Sequence, residues 1–403
     1  LVTGTGWRND STAGAATLGF SASVTPAYNA TALTYYGTYR KTINVYSGVS
    51  KATNNSKTQY LNTNGNKVSS ISLAVPATIS GWTAIGYRDD TTAGDKETAV
   101  TTSAVSITPA YSTSAINYYA VYNRTLTITY AANGGTGTVG NTTKTIYLNT
   151  NSTTTSDQSV TLSNTTYTKT GYTFSKWRIG STDYNKNTSY NPSLAYNAAA
   201  ANWTITATAQ WTANTYTVEY YQGNNSTTAG STKISNMANT THTYDTSANL
   251  RTYAGTAPSG WTFAGWSTSE TGTAVSTVNG VALTNGASVK NLTSTNGATV
   301  KLYAVFKRNI VFKSGANAGT TNATLEQRYN PYKTTGYITA VTSPSALTAI
   351  TGWTATGTGT GWRNDAPAGA ATLGFSASVT PAYNATALTY YGAYTKTINV
   401  YTS

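Results

Sequence analysis

Gly260-Trp261-Thr262-Phe263-Ala264-Gly265-Trp266 decides how the rest of the chain is read. Side chains alternate across an extended strand, so Trp261 and Phe263 share a face. Trp266 lies three residues beyond Phe263 and would point away unless one residue were inserted; Gly265 is the natural place for such a β-bulge. The stretch therefore reads as a bent strand that delivers three aromatic rings to one core.

Related stretches open at Gly81-Trp82, Gly171-Tyr172 and Gly352-Trp353, at near-even steps of about ninety residues. A constant step of that size signals tandem small domains. Ala84 stands where the strongest copy has Phe263, Lys176 where it has Gly265, and Trp353 is nine residues from Trp362 instead of five. The expected structural core of the repeats is Trp82, Tyr172, Phe174, Trp177, Trp261, Phe263, Trp266 and Trp353. Added to these are the small residues Ala120, Ala209, Ala304 and Gly392. Those four occupy the middle of closing strands such as Tyr118–Tyr122, Ala207–Trp211, Leu302–Phe306 and Tyr390–Tyr394, where a small side chain between large ones leaves a notch. The tryptophan of the Gly-Trp stretch is expected to sit over that notch.

Composition agrees with a β-rich chain. Of 403 residues 32 are tyrosine and only 9% are charged, and Tyr and Thr suit half-exposed strands. With no cysteine and one methionine, neither disulfides nor thiol chemistry is available, which fits an extracellular setting. The net charge of +13 comes from 25 basic residues without a run, so the chain lacks the footprint of a nucleic-acid binder. No apolar stretch is long enough to span a bilayer.

Residues 3–46 return as 358–401 with four changes: Ser11 to Ala366, Thr12 to Pro367, Thr38 to Ala393 and Arg40 to Thr395. Residues 1–39 are accordingly read as a partial module, followed by modules at 40–123, 124–212, 213–307 and 308–394, with 395–403 as the first strand of another. The chain reads as a window cut from a longer protein. After each closing strand an alternating pattern resumes at once (Ile43 and Val45, Leu126 and Ile128, Tyr216 and Val218, Ile310 and Phe312, Ile398 and Val400), which predicts stiff junctions without linkers. A short helix is the best reading of 193–201.

The order Tyr216–Tyr220, Gly260–Trp266, Leu302–Phe306 resembles the internalin-type B-repeat, also called the Listeria–Bacteroides repeat. That resemblance implies a mainly β fold, a tandem array of small β-grasp-like modules of about 89 residues forming an elongated rod. It also implies a place in large bacterial cell-surface proteins as a stalk or adhesive segment, with no catalytic residues and no cofactor.

Few residues invite chemistry. The single histidine, His242, lies in a polar run and reads as a loop residue without a role. Asp89, Asp90, Asp95 and Glu97 form the one dense acidic patch, which is either a calcium site or, as preferred here, a solvated loop neutralised by Arg88 and Lys96. Junction cations Arg40, Lys41, Arg124, Lys307, Arg308 and Lys396 suit either cell-wall polymer and glycan binding or protection of strand edges. Tyr36, Tyr119, Tyr303 and Tyr391 are candidate outward rings that would contact sugar or a neighbouring chain. Asn29, Asn123, Asn202, Asn291 and Asn384 head glycosylation sequons. The expected role is a stiff extracellular stalk or fibre. Two alternatives remain: a wall-binding array attached to an enzyme, and a subunit of a self-assembling filament. The expected partners are neighbouring modules, copies of the chain, wall polymer, glycan or a host surface.

Overall fold

The computed structural model describes residues 2–28, 31, 34–365 and 368–401; Asn29 and the substituted positions Ala366 and Pro367 lie outside them. The chain is mainly β, and its helical content among the described residues is three short 3-10 turns. One of these, Ala200–Trp203, overlaps the end of the stretch expected to be helical, whose preceding residues are irregular apart from a turn at 196–197. Two compact units are present, Leu1–Thr168 with Phe174–Gln210, and Lys169–Thr173 with Trp211–Ser403.

In the first unit β1 (Val2–Arg8) pairs antiparallel with β2 (Tyr36–Ser47), which pairs on with β3 (Lys57–Asn62). β4 (Thr83–Arg88) lies antiparallel to the first half of β5 (Asn117–Ala131), and β6 (Thr142–Asn149) runs antiparallel along β5 across both halves. β7 (Tyr172–Ile179) neighbours β8 (Thr204–Ala213). The two parallel contacts are decisive: Asn117–Tyr119 of β5 on Asn44–Tyr46 of β2, and Thr127–Ala131 of β5 on Thr204–Thr208 of β8. One strand thus closes the first crossover and opens the second.

The second unit repeats this plan. β9 (Thr215–Gly223), β10 (Thr240–Thr243), β11 (Thr262–Ser267), β12 (Thr299–Ser314), β13 (Thr320–Tyr329), β14 (Gly361–Arg363) and β15 (Thr389–Ala393) are arranged around β12. β12 is parallel to β9 at its start and to β15 at its end. β8 ends at Ala213 and β9 begins at Thr215, and β10 ends at Thr243, opposite Thr215.

Alternation explains these strands. Ile43 and Val45, Leu126 and Ile128, Tyr216 and Val218, and Ile310 and Phe312 all face inward and are fully buried. On the closing strands Ala120, Ala209 and Ala304 are 0% exposed. The ring over each notch is the second aromatic of the bent strand, not the first: Trp266 opposes Ala304, Tyr87 opposes Ala120, Trp362 opposes Gly392 and Trp7 opposes Gly37. A register shift between Phe263 and Gly265 turns Trp266 inward, and Gly265 there has φ +152°. At the equivalent Gly86, φ +143°, a Cβ would stand 2.0 Å from the Thr98 carbonyl oxygen, so only glycine fits.

Trp177 and Trp266 are wholly buried, with Phe174 and Phe263 half-buried against them. Two expected core rings are corrected. Trp353 is 50% exposed, because the strand that bears the inward ring of its crossover is the Gly361–Arg363 strand nine residues on. Tyr172 is half-exposed, edge-on to Tyr244, with its hydroxyl donating to Asp245.

Ala304→Leu would drive a larger side chain into Trp266, and is expected to cost about 1–3 kcal/mol. Chemical denaturation checks this, and an unchanged midpoint would remove the notch as a packing constraint.

Candidate functional site

The chemistry-bearing side chains converge on the seams between successive crossovers within each unit. At residues 108–114 and 380–385 the chain makes a Pro-Ala-Tyr loop whose carbonyls point inward. Lys41 and Gln59 are cross-strand partners that reach the first loop together. Lys41 Nζ donates to the Ser112 and Ser114 carbonyls, and Gln59 donates to that of Pro109 at 2.6 Å. Arg308 and Gln327, also cross-strand partners, do the same for the second loop. Arg308 donates to the carbonyls of Pro381, Ala382, Tyr383 and Ala385 at 2.6–3.2 Å, and to Gln327 Oε1 at 2.9 Å.

The first aromatic of the bent strand belongs to these seams. Trp261 lies beneath the Arg308 guanidinium, 4.2 Å from ring centroid to Cζ, and donates to the Tyr383 carbonyl. Trp82 donates to the Tyr196 carbonyl and meets Trp203 edge-on, with Arg124 over Trp203. Burial lowers the pKa of Lys41, and also that of Arg308, against the opposing influence of Tyr390. Lys41 and Arg308 are each 7% exposed, so neither is the exposed cation that polymer binding or protection of strand edges requires. Arg40, Lys307 and Lys396 are the exposed ones.

A second clamp is formed by asparagine. Asn62 and Asn149 end, and Asn330 immediately follows, the strands that come after each shared or opening strand; all three are buried. Their Nδ2 atoms donate to paired carbonyls of the loop after the bent strand: Asp10 and Thr12, Asp90 and Thr92, Glu270 and Gly272. Each Oδ1 accepts the backbone N–H two residues on. The buried amide is therefore fully bonded, and the loop is fixed to the neighbouring crossover.

Those loops carry the acidic residues. Oxygens of Asp89, Asp90 and Glu97 lie within 4.8 Å of one another, but Asp95 is not among them and pairs with Lys96. Arg88 sits inside the group, bidentate to Asp90 at 2.7 Å and 2.9 Å from Glu97, so a guanidinium holds the position a cation would take. The same fork recurs as Arg8 on Asp10 and Arg363 on Asp365, and its third nitrogen donates to a loop carbonyl each time. The side-chain hydrogen bond from Arg8 lowers Asp10 to about 2, and Arg88 holds Asp90 well below the usual carboxylate range. This fork is a loop brace.

His242 is a strand residue, not a loop residue. It is 1% exposed on β10 and stacks on Tyr216, with Nε2 3.0 Å from Thr240 Oγ1 and Nδ1 without a partner. The candidate contact tyrosines divide likewise. Tyr303 is buried, at 9% exposure, beside Tyr221; Tyr119 is half-buried, stacked on Tyr46 with Lys51 over both rings; Tyr36 is half-buried; Tyr391 is 45% exposed. Asn202 and Asn384 are exposed. Asn291 bonds Asp245.

Neither the known protein-family models nor the curated proteins contain a match to this chain. The function therefore rests on the geometry itself. Two short patterns would have pointed to the clamps from sequence: Trp/Tyr-Arg-x-Asp at 7–10, 87–90 and 362–365, and a four-residue run ending in Leu-Asn or Tyr-Asn at 59–62, 146–149 and 327–330.

Two measurements check these seams. Arg308→Met leaves several buried carbonyls unbonded and is expected to cost about 2 kcal/mol or more, whereas Lys307→Met next to it should stay within about 0.5 kcal/mol. Burial lowers the pKa of His242 from 6.5. The unfolded chain then takes up a proton near pH 6.5 that the folded chain resists. Stability is full above that pH and falls as the pH drops through the window below it. The melting temperature should decline between pH 7 and 5, and the decline should vanish in His242→Phe.

Proposed function

We propose that the chain is a structural, adhesive repeat region: a tandem array of β-grasp-like modules forming a stiff stalk in a large extracellular surface protein. One observation carries this reading. β5 and β12 each serve two successive crossovers as a single unbroken strand, with no linker residue between their parallel partners. Stiffness is useful to a stalk, and the repetition adjusts its length.

The likeness of Tyr216–Tyr220, Gly260–Trp266 and Leu302–Phe306 to the internalin-type B-repeat supports the same role. So does the placement of polar chemistry: guanidinium forks, carbonyl cages and buried amides all hold backbone to backbone. No helix among the described residues is long and apolar enough to cross a membrane. A wall-binding array is the weaker reading, since Lys41 and Arg308 are consumed by loop carbonyls and Lys51 covers the Tyr46–Tyr119 pair.

Small-angle scattering of fragments with one, two and four crossovers tests the stalk. The maximum dimension should grow in near-equal steps, each on the order of one strand length. In Asn149→Ala and Asn330→Ala the steps should shorten and the scattering should gain flexibility. A dimension that stays nearly constant as crossovers are added would rule the stalk out.

A further inference from the structure

The cation at each seam stands opposite one residue of the next strand. Lys41 faces Gln59 and Arg308 faces Gln327, but Arg124 of β5 faces Ile146 of β6. Ile146 is wholly buried and offers no side-chain hydrogen bond. The loop that Arg124 would hold is secured by another residue: Gln158 donates to the Leu194 carbonyl and accepts the Leu194 N–H, both at 2.7 Å. Arg124 is left with one long bond, 3.4 Å from Nη1 to the Ala198 carbonyl, and with the Trp203 ring 4.6 Å from Cζ. A guanidinium carries several N–H donors, and only one of them finds a protein acceptor here. Arg8, Arg88, Arg178, Arg328 and Arg363 each meet a carboxylate, and Arg40 and Arg251 are exposed. Among the described arginines, Arg124 alone is half-buried with neither a carboxylate nor a full carbonyl cage. Burial lowers its pKa, with no anion to offset it.

Those donors border a cavity. Ser80 and Gly81 on one side and Tyr196, Asn197 and Ala198 on the other line, with Arg124, an open cavity of about 540 Å³. A Cβ on Gly81 would stand 2.9 Å from Arg124 Nη1, so the guanidinium forms part of the wall. The same cavity recurs in the second unit, at about 450 Å³, between Ser259-Gly260 and Tyr383-Asn384-Ala385. Ser-Gly-Trp and Tyr-Asn-Ala are identical at the two places, and each indole donates to the tyrosine carbonyl at 2.9 Å. The difference is the cation. Arg308 is held by loop carbonyls and is absent from the lining of its cavity.

We propose that the cavity beside Arg124 binds a hexuronate unit of an acidic polysaccharide, its carboxylate paired with the guanidinium. Guanidinium and carboxylate match as a two-bond fork, and the pair is stronger where the cation is already partly withdrawn from water. The rest of the lining names the sugar. The cavity is far larger than a carboxylate and falls in the range of small-ligand sites. Thr53, Thr78, Ser80 and Asn197 are exposed and bring hydroxyls and an amide to it, groups that match ring hydroxyls, while the short alanines between them suit the C–H face of a sugar. One such site does not turn the array into a wall-binding one, and it stands or falls apart from the stalk.

Two indoles report on the site: Trp203 under the guanidinium, and Trp82 edge-on to Trp203. The full chain with nitrogen-labelled tryptophan is titrated with trigalacturonate, the indole N–H signals being assigned from Trp82→Phe, Trp203→Phe and Trp261→Phe. The expected result is a saturable shift of the Trp203 and Trp82 signals, with Trp261 of the second cavity unmoved. Arg124→Met should weaken binding at least about tenfold, because charge-assisted hydrogen bonds are lost. Arg124→Lys keeps the charge without the fork and should fall between. The unliganded indole spectrum shows whether each variant is folded. Maltotriose, which has no carboxylate, should give no saturable shift, and acetate should bind more weakly than the trimer. The proposal is overturned by no saturable shift with millimolar trigalacturonate, by binding that survives Arg124→Met in full, by an equal shift of Trp261, by an equal response to maltotriose, or by acetate binding as tightly as the trimer. None of these outcomes touches the scattering or Arg308 expectations of the repeat array.

Discussion

A strand that belongs to two cores cannot bend at their boundary without breaking hydrogen bonds on both sides. β5 and β12 are such strands, and the rest of the structure is arranged to keep them straight. Each is flanked by an antiparallel partner, β6 or β13, that runs past the boundary, and an asparagine at or just after that partner's end is clamped to the earlier loop. β8 and β9 are separated by Asn214, and β10 stops pairing with β9 at Thr215.

The two aromatic positions of the bent strand follow from the same constraint. A bulge at glycine turns the second ring into the core, over a small residue on the shared strand, where its volume fills the notch. The first ring is left at the seam, where an indole can cover apolar surface and still donate its N–H to a neighbouring loop, as Trp82 and Trp261 do. The inner rings also find acceptors: Trp177 on Ser163, Trp362 on Pro344 and the Tyr87 hydroxyl on Ala74. Trp266 is the exception, with a buried N–H that has no partner. Volume, not hydrogen bonding, holds it.

Much of the fold was legible because it depends on local periodicity. Alternation at Ile43 and Val45 or Ile310 and Phe312, the small residue in each closing strand and the glycine before the inner ring are all readable within a few residues. The sites were less legible. Lys41 and Arg308 look like surface cations in the sequence, because nothing local reveals that a Pro-Ala-Tyr loop some seventy residues later folds over them. His242 sits in a polar run, yet its strand pairs with β9 in a register that sets it against the buried Tyr216. Trp353 carries the Gly-Trp signature but has no inward strand to occupy.

The sequence by itself determined the strands, their spacing, the aromatic-and-notch core and the repetition of a whole block, since these follow from side-chain size and period along one segment. Only the tertiary structure decided that consecutive cores share a strand and that buried cations and asparagines grip loop carbonyls. Those outcomes depend on which distant backbone arrives beside a residue, and that information is carried by the assembled sheet and not by the residue's neighbours in the chain.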